Sequence, residues 1–561
     1  MTGMAIDWGS LGLVASVTVL GTAFILTICS LAARMLATVH AKHEAGEVEG
    51  VRQAQVLAGV FIAIAASAVA DDPDYPCFHV VPPVGRLNDP NGLLVDGDTY
   101  HAFYQLSPFH PHRKLVYWGH SSSTDLLHWR HHAPAVIPDS SYDLSGAYSG
   151  NAIVLEGHEV DAAPTRAPFQ LFYTGNLKDP VTDERTASQC LVTSGDLTDF
   201  AKWPGNPLIP AHAEGYTSHY RDPQVFRDPD RPGEYRMLIG VQRADETGAA
   251  VLYRSRDLVS WELEGELSFP GAGGAFDAFG YMWECPGLVR LKDEDTGEDW
   301  DVLIWCPQGI TPDREGFENI FPCVYTVGHL VGTELRDTGG VFHEVDRGFE
   351  FYAPQVFARR PSEPGPVLLT GWAGNASEDD QPSIETGQWV HALTMPRILS
   401  LKAGRLIQCP AASLPYDAGE PALVGECVKA GLYEIDELSG HRSWQLRLEA
   451  DAEQTTGPWG LQIGSDDSHV DITLDRQVLR VDRSTSRYAQ HGSVRSVTLP
   501  EGCAPVLEVI HDRSLTEVFV GDGALVLTLR SFVDVNSTGA RLMVDGDLAL
   551  TAGSTRTFAP S

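Results

Sequence analysis

Basic residues are scarce in this chain: 40 Lys and Arg face 75 Asp and Glu, a formal charge of −35 over 561 residues. A surface this acidic is repelled by phosphate backbones, which excludes nucleic acid as a natural partner. Cysteine is sparse, odd in number at nine, and never arranged as Cys-x-x-Cys, so a zinc ribbon or a thioredoxin-type site is excluded. The scattered thiols point to a reducing compartment. There is no Gly-x-Ser-x-Gly elbow and no Walker loop, and Gly271-Ala-Gly-Gly274 lacks the strand-then-helix setting that phosphate binding needs. Amphipathic helical runs of useful length are also missing after residue 77.

What is present divides the chain into three. Residues 1–74 hold two uncharged apolar runs, Trp8 to Ala33 and Gln53 to Ala70, the first long enough to cross a hydrocarbon core of ~30 Å. Arg34, Lys42 and Arg52 lie between them and no Lys or Arg flanks them outside. The positive-inside rule then predicts a helical hairpin with both ends outside the cytoplasm. Ala68-Val69-Ala70 also fits a signal-peptide cleavage site, and a helix packed on the following domain is a third reading of the second run. The expectation is membrane association through this segment, with the cytoplasm as the alternative that the free thiols favour.

Residues 75–411 carry short strand-like runs separated by Gly, Pro, Asp and Asn, among them Thr99 to Tyr104, Phe169 to Tyr173, Tyr235 to Ile239 and Val302 to Trp305. A motif recurs at Ser123-Thr-Asp-Leu126-Leu-His-Trp129, Ser194-Gly-Asp-Leu197-Thr-Asp-Phe200 and Ser255-Arg-Asp-Leu258-Val-Ser-Trp261. That spacing suits one four-stranded blade per repeat, and about five blades would fill the region, a five-bladed β-propeller. Residues 412–561 shift to longer alternating strands such as Val470 to Leu474 and Thr516 to Val520, which predict a β-sandwich. The expected fold is therefore all-β, a propeller followed by a sandwich, behind an N-terminal hydrophobic helical segment.

Three acids occur in settings that constrain them. Asp89 lies in Arg86-Leu-Asn-Asp-Pro-Asn-Gly92, where Pro90 removes a backbone donor and Gly92 permits a tight turn. Asp222 lies in His219-Tyr-Arg-Asp-Pro223, and Glu284 in Gly280-Tyr-Met-Trp-Glu-Cys-Pro-Gly287. The apolar and aromatic neighbours of Glu284 predict a desolvated carboxyl able to donate a proton near neutrality. Arg221 offers a cation that would keep the other acids ionised. Each acid read singly is also compatible with a turn cap, but their spacing would bring all three to one central pocket on successive blades.

Asn88-Asp-Pro-Asn-Gly92, Arg221-Asp-Pro223 and Trp283-Glu-Cys-Pro286 together resemble the signature of glycoside hydrolase family 32. Tyr104-Gln105, Trp118-Gly-His120, Tyr148-Ser-Gly150, Phe349 to Gln355, Trp389 to Arg397, Asp512-Arg-Ser and Glu517-Val-Phe519 agree with it. The resemblance implies a retaining β-fructosidase acting on sucrose or short fructans. Asp89 corresponds to the nucleophile, Glu284 to the acid/base and Asp222 to the carboxylate that steadies the oxocarbenium-like transition state. Asn88, Gln105, Trp118, Tyr148, Ser149, Arg221 and Trp372 match positions that line the fructose pocket. No metal or cofactor is implied, and the partner is a small carbohydrate. Arg86 stands where the family usually has Trp, the loop Phe109 to Leu115 lacks a tryptophan, Asn151 replaces a common serine, and Gly287 a common acid. These departures leave open the choice among sucrose, sucrose 6-phosphate and fructan. A fructosyltransferase and, from another class, a non-catalytic membrane-anchored sugar-binding propeller are the alternatives. The oligomeric state is not legible in the sequence.

Overall fold

In the computed structural model the described residues are 69, 71–108, 115–310, 321–377, 380–490 and 492–558. They are nearly all β, with two short helices, Gly157–Ala162 and Ser383–Thr386, and one 3-10 turn, Asp436–Leu438. Between residues 85 and 410 five sheets follow one another, antiparallel but for one short parallel pairing of Gly85 and Arg86 with Trp389 and Val390. Their first strands are Gly85–Asp96, Ala152–Val154, Tyr216–Arg227, Met282–Lys292 and Tyr352–Val356. Each neighbours the next in turn and the fifth returns to the first, where the Ala358 amide donates to the Leu93 carbonyl at 2.8 Å.

Side-chain amides join these inner strands where no ladder runs between sheets. Asn151 accepts from the Val225 amide at 2.8 Å and donates to its carbonyl at 3.2 Å. Gln224 accepts from the Leu288 amide at 2.7 Å and donates to its carbonyl at 3.0 Å. Gln355 donates to the Gly150 carbonyl at 2.9 Å. An Asn or Gln side chain mimics a peptide group, so each pair repeats a strand-to-strand bond across a gap between sheets. Asn151, noted in the sequence as a replacement for serine, thus closes the second sheet on the third.

The recurring Ser-x-Asp-Leu motif is the turn between the third and fourth strands of the first three sheets. Asp125 accepts the amides of Leu127 and His128, Asp196 those of Thr198 and Asp199, and Asp257 those of Val259 and Ser260. The serine hydroxyl accepts the leucine amide, and Leu126, Leu197 and Leu258 all take positive φ of 60 to 68°. Where the aromatic is tryptophan, its indole donates to the leucine carbonyl at 3.1 Å. Each side chain satisfies a backbone group that the turn would otherwise leave open.

Residues 416–557 form two further sheets, one of them built on Ser443–Ala450, Val506–Asp512, Leu515–Val520, Leu525–Arg530 and Leu548–Thr557. The other is built on Trp459–Gly464, His469–Asp475, Val478–Asp482, Val494–Thr498 and Arg541–Val544. Trp444, Leu446, Leu461, Ile472, Val509 and Leu527 are buried in the core between them, as the strand alternation requires.

The apolar runs Trp8 to Ala33 and Gln53 to Ala70 lie outside the described residues except for Val69. That residue packs inside the protein against Val81, Val84, Trp389 and Leu515. The end of the second run is therefore interior to the folded body, against the expectation of a membrane-embedded hairpin arm there. Among the described residues no helix is long and apolar enough to cross a membrane.

Candidate active site

Asp89, Asp222 and Glu284 each lie on the first strand of a different sheet, toward the end where the second strands carry Gln105 and Gln308. The sequence brings them there through local punctuation. Asp222 has φ of 66° and Cys285 of 47°, so the chain bends at both motifs, and the pairing of Glu284 with Cys306 skips to that of Gly287 with Ile304. Such bulges re-aim side chains at the end of a strand.

The three acids are tied together by two other residues. The Cys285 thiol lies 3.6 Å from Asp222 Oδ2 and 3.9 Å from Asp89 Oδ2, and the Cys285 amide donates to Asp222 Oδ2 at 3.0 Å. Arg221 donates to Glu284 Oε1 from Nη2 at 2.6 Å and from Nε at 3.1 Å, and its Nε lies 3.9 Å from Asp222. Asp89 also accepts from Gln105 Nε2 at 3.1 Å and from the Ser149 hydroxyl, which receives a second bond from Gln105 at 2.5 Å.

The surroundings of Glu284 correct the expectation of an apolar cage. The Trp283 indole turns away into the core, donating to the Phe279 carbonyl at 2.7 Å. Glu284 Oε2 instead accepts from Gln308 Nε2 at 2.5 Å and from the Tyr352 hydroxyl at 2.7 Å, with Arg221 on the other oxygen. Asp222, which Arg221 was expected to keep ionised, is lifted by desolvation. Burial pushes its carboxyl up to about 7, with Arg221 pulling it down and the charges of Glu284 and Asp89 pushing it further up.

The remaining sequence candidates divide. Gln105, Ser149 and Arg221 touch the acids directly. Asn88 is buried beside Asp89 on the same strand. Trp372 packs edge-on against Tyr352, at 6.2 Å between ring centroids, and so supports the wall beside Glu284. Tyr148 lies next to Ser149 with the Arg185 guanidinium 5.7 Å from its ring centroid. Trp118 is fully buried behind Tyr148, its indole donating to the Tyr148 carbonyl at 3.0 Å and its ring packed against Tyr173. Among the described residues no hydrogen bond or ring contact of Trp118 reaches an acid; its link to the site is Tyr148.

Gln308, Tyr352 and His219 were not singled out from the sequence. Gln308 becomes a neighbour of Glu284 only through strand pairing. Tyr352 sits inside the quoted Phe349 to Gln355 segment. His219, two residues before Arg221, accepts from its Nη1 at 2.9 Å in the tautomer with Nδ1 unprotonated. Burial, Arg221 and Arg185 hold its imidazole down at about 4. His128, His131 and His132, considered as metal ligands from the sequence, are engaged with Asp125, Ser121 and Ser122. Of the departures, Arg86 is fully buried and donates to the Asn375 carbonyl at 3.2 Å, while Gly287 leaves space beside Gln224. The loop 109–114 lies outside the described residues. Three carboxyl groups with a guanidinium, amides and hydroxyls among them suit acid–base and nucleophilic chemistry on a polyhydroxylated molecule.

Comparison with known proteins places this arrangement in a family. Residues 79–410 match the glycosyl hydrolases family 32 N-terminal domain, and residues 426–556 match the glycosyl hydrolases family 32 C terminal. A sucrose-6-phosphate hydrolase of Klebsiella pneumoniae is 36% identical over 465 residues, which cover 82% of this chain and 89% of that protein. A raffinose invertase of Escherichia coli is 32% identical over 493 residues, covering 86% and 94%. The solved structure of sucrose-6-phosphate hydrolase from Lactobacillus gasseri is similar with a TM-score of 0.71 at 27% identity, covering 89% of this chain and 96% of that one. The chain belongs to glycosyl hydrolase family 32.

Proposed function

We propose that this chain is a retaining β-fructofuranosidase that hydrolyses the terminal β-D-fructofuranosyl bond of sucrose or a short fructan through a covalent fructosyl-enzyme intermediate. The observation that carries this reading is the Cys285 thiol in contact with Asp89 and Asp222 at once, while Arg221 spans Asp222 and Glu284. Asp89 attacks C2 of the fructosyl unit. Glu284 gives a proton to the departing glycosidic oxygen, then takes one from the water that releases fructose. Asp222 binds fructose hydroxyls and steadies the positive charge of the transition state. Gln105 and Ser149 orient the nucleophile, and Gln308, Tyr352 and Arg221 orient the acid. Asn88, Trp118, Tyr148 and Trp372 complete the fructose pocket, Trp118 from behind. The mechanism uses no metal and no cofactor.

In the same reading residues 75–411 are a five-bladed β-propeller, supported by the closed succession of five inner strands, and residues 412–561 a β-sandwich. Residues 1–74 are a hydrophobic segment whose first run associates with membranes, the cytoplasm being the alternative location, while Val69, Asp72 and Asp74 at its end pack on the folded body. The uncharged run from Trp8 to Ala33 supports this part, and salt-resistant sedimentation of the full chain with membranes tests it.

The activity is tested with the full chain on sucrose, sucrose 6-phosphate, kestose, inulin and levan, with glucose and fructose quantified separately. Fructose rising one-for-one with the aglycone is expected. Aglycone without free fructose would make the protein a transferase, and no release from any substrate would reduce it to a binding protein. One observation favours the phosphorylated disaccharide. Arg185 lies over Tyr148, its guanidinium 5.7 Å from the ring centroid. A guanidinium in that position suits a phosphate on the leaving group. Arg185→Gln is expected to lower kcat/KM for sucrose 6-phosphate about tenfold while leaving sucrose unchanged; an equal effect on both substrates removes this second reading.

A further inference from the structure

Residues 71–78 precede the family match at residue 79 and are stitched into both halves of the protein. On the sandwich side, the buried carboxylate of Asp74 accepts from Arg487 Nη2 at 2.7 and 2.9 Å and lies 3.5 Å from Arg442. The Asp74 carbonyl accepts from the Ser514 hydroxyl at 2.7 Å, and Arg513 donates to the Tyr75 carbonyl at 2.9 Å. On the other side, Asp72 Oδ2 accepts from the Trp389 indole at 2.9 Å and from the Thr386 hydroxyl at 2.7 Å. The approach is so close that a Cβ on Gly387 would stand 2.4 Å from that oxygen.

Trp389 is not an ordinary core residue. With Val390 it forms a short parallel pairing with Gly85 and Arg86, and the Gly85 amide donates to the Gln388 carbonyl at 2.9 Å. Asp89 follows three residues beyond Arg86 on the same strand. Past Val390, His391 takes φ of 68° and packs its ring on Trp372 at 5.2 Å. The Asp72 carboxylate thus ends a continuous run of contacts through Trp389 to the strand that carries Asp89, and through His391 to the wall beside Glu284.

We propose that Asp72 is a positioning residue: by holding the Trp389 indole it sets the register of the strand that presents Asp89. Asp74, whose carboxylate pairs with Arg487 and Arg442 of the sandwich, serves stability. The proposal rests on the reading of Asp89 as nucleophile. A small displacement of a reacting group is costly, up to roughly 100-fold per 1 Å, whereas loss of a seam contact lowers the population of folded protein without changing what each folded molecule does.

The test uses the full chain at a temperature where all variants are folded, with kcat and KM measured separately on sucrose. Asp72→Ala and Trp389→Phe are each expected to lower kcat about tenfold. The double variant should be no worse than Asp72→Ala alone, because that substitution already removes the bond from the indole. Asp72→Asn, whose amide oxygen still accepts from the indole, should recover most of the loss. Asp74→Ala should lower Tm and leave kcat unchanged. Wild-type kcat in Asp72→Ala, or an equal fall in Asp74→Ala, would overturn the proposal. If Asp72→Ala does not fold, Trp389→Phe decides alone, and wild-type kcat there overturns it. Failure of the underlying reading is separable, since Asp89→Asn would then keep the activity of the unaltered enzyme.

Discussion

The site and the seam between the two halves of the molecule are both buried sets of acids and bases, and they are built to opposite ends. At the seam every acid is surrounded by donors. Asp512 accepts from the amides of Cys77, Phe78 and His79, from the His79 ring and from Ser443. Glu517 accepts from the other His79 nitrogen, the Met395 amide and Arg397, which also reaches Asp346 at 3.0 Å. Burial works against both Asp512 and Glu517, but hydrogen bonds and charges from His79 and Arg397 hold them below the usual carboxylate range. At the site Asp222 has one backbone donor and a thiol, shares Arg221 with Glu284, and is pushed up by burial and by two neighbouring acids. Donors hold Asp512 and Glu517 ionised at the seam, although burial still raises Asp346 there; Asp222, with fewer donors, is a carboxyl whose charge changes near neutrality.

The largest effects should come from breaking the site. Asp89→Asn is expected to abolish turnover and any trapped fructosyl adduct, read by mass spectrometry of the peptide spanning Arg86 to Gly92. Glu284→Gln should lower turnover on sucrose by roughly 100- to 10,000-fold, while aryl fructosides with good leaving groups partly escape. A label on another acid, or sucrose cleaved by Glu284→Gln at the normal rate, would make the two regions alike in function. Both variants should unfold at close to the normal temperature, since neither residue belongs to the seam.

The seam should answer in the opposite currency. Arg397→Met leaves Asp346 and Glu517 buried without their shared cation, which costs about 3–5 kcal/mol. Urea denaturation should record that loss, and kcat per folded molecule should change less than about twofold. A fall in kcat with unchanged stability would erase the contrast.

A smaller effect lies in the pH dependence of stability. Burial alone would depress the His79 imidazole, but hydrogen bonds to Asp512 and Glu517 and their charges lift it to about 9. A base raised on folding contributes fully below its unfolded value near 6.5, and the contribution is lost as pH rises through about 9, some ~3 kcal/mol in all. Calorimetry between pH 6.5 and 9 should therefore show a falling Tm in the wild type and a flatter one in His79→Asn. Parallel curves would remove His79 from the seam's stabilising charges.

Much of this was legible in the chain. Alternation and turn residues predicted strands where second strands occur, and the Ser-x-Asp-Leu repeat marked three equivalent turns because the side chains that make the turn are local. The acidic motifs were legible for the same reason: Pro90, Pro223 and Pro286 fix the backbone around each acid from within a few residues. The setting of Glu284 was misread because adjacency in sequence is not adjacency on a strand. Trp283 alternates to the far face, and the neighbours that matter, Gln308, Tyr352 and Arg221, arrive from other strands and sheets.

Sequence alone thus determined the class of fold, the three acids and their family, since these depend on periodicity and on short motifs whose geometry is local. Only the tertiary structure decided that Asp222 is desolvated, that Cys285 and Arg221 join the three, that Trp118 stands behind Tyr148, and that Asp72 reaches across to Trp389. Those facts turn on residues dozens to hundreds of positions apart, and burial, donor supply and charge balance exist only once the chain has brought them together.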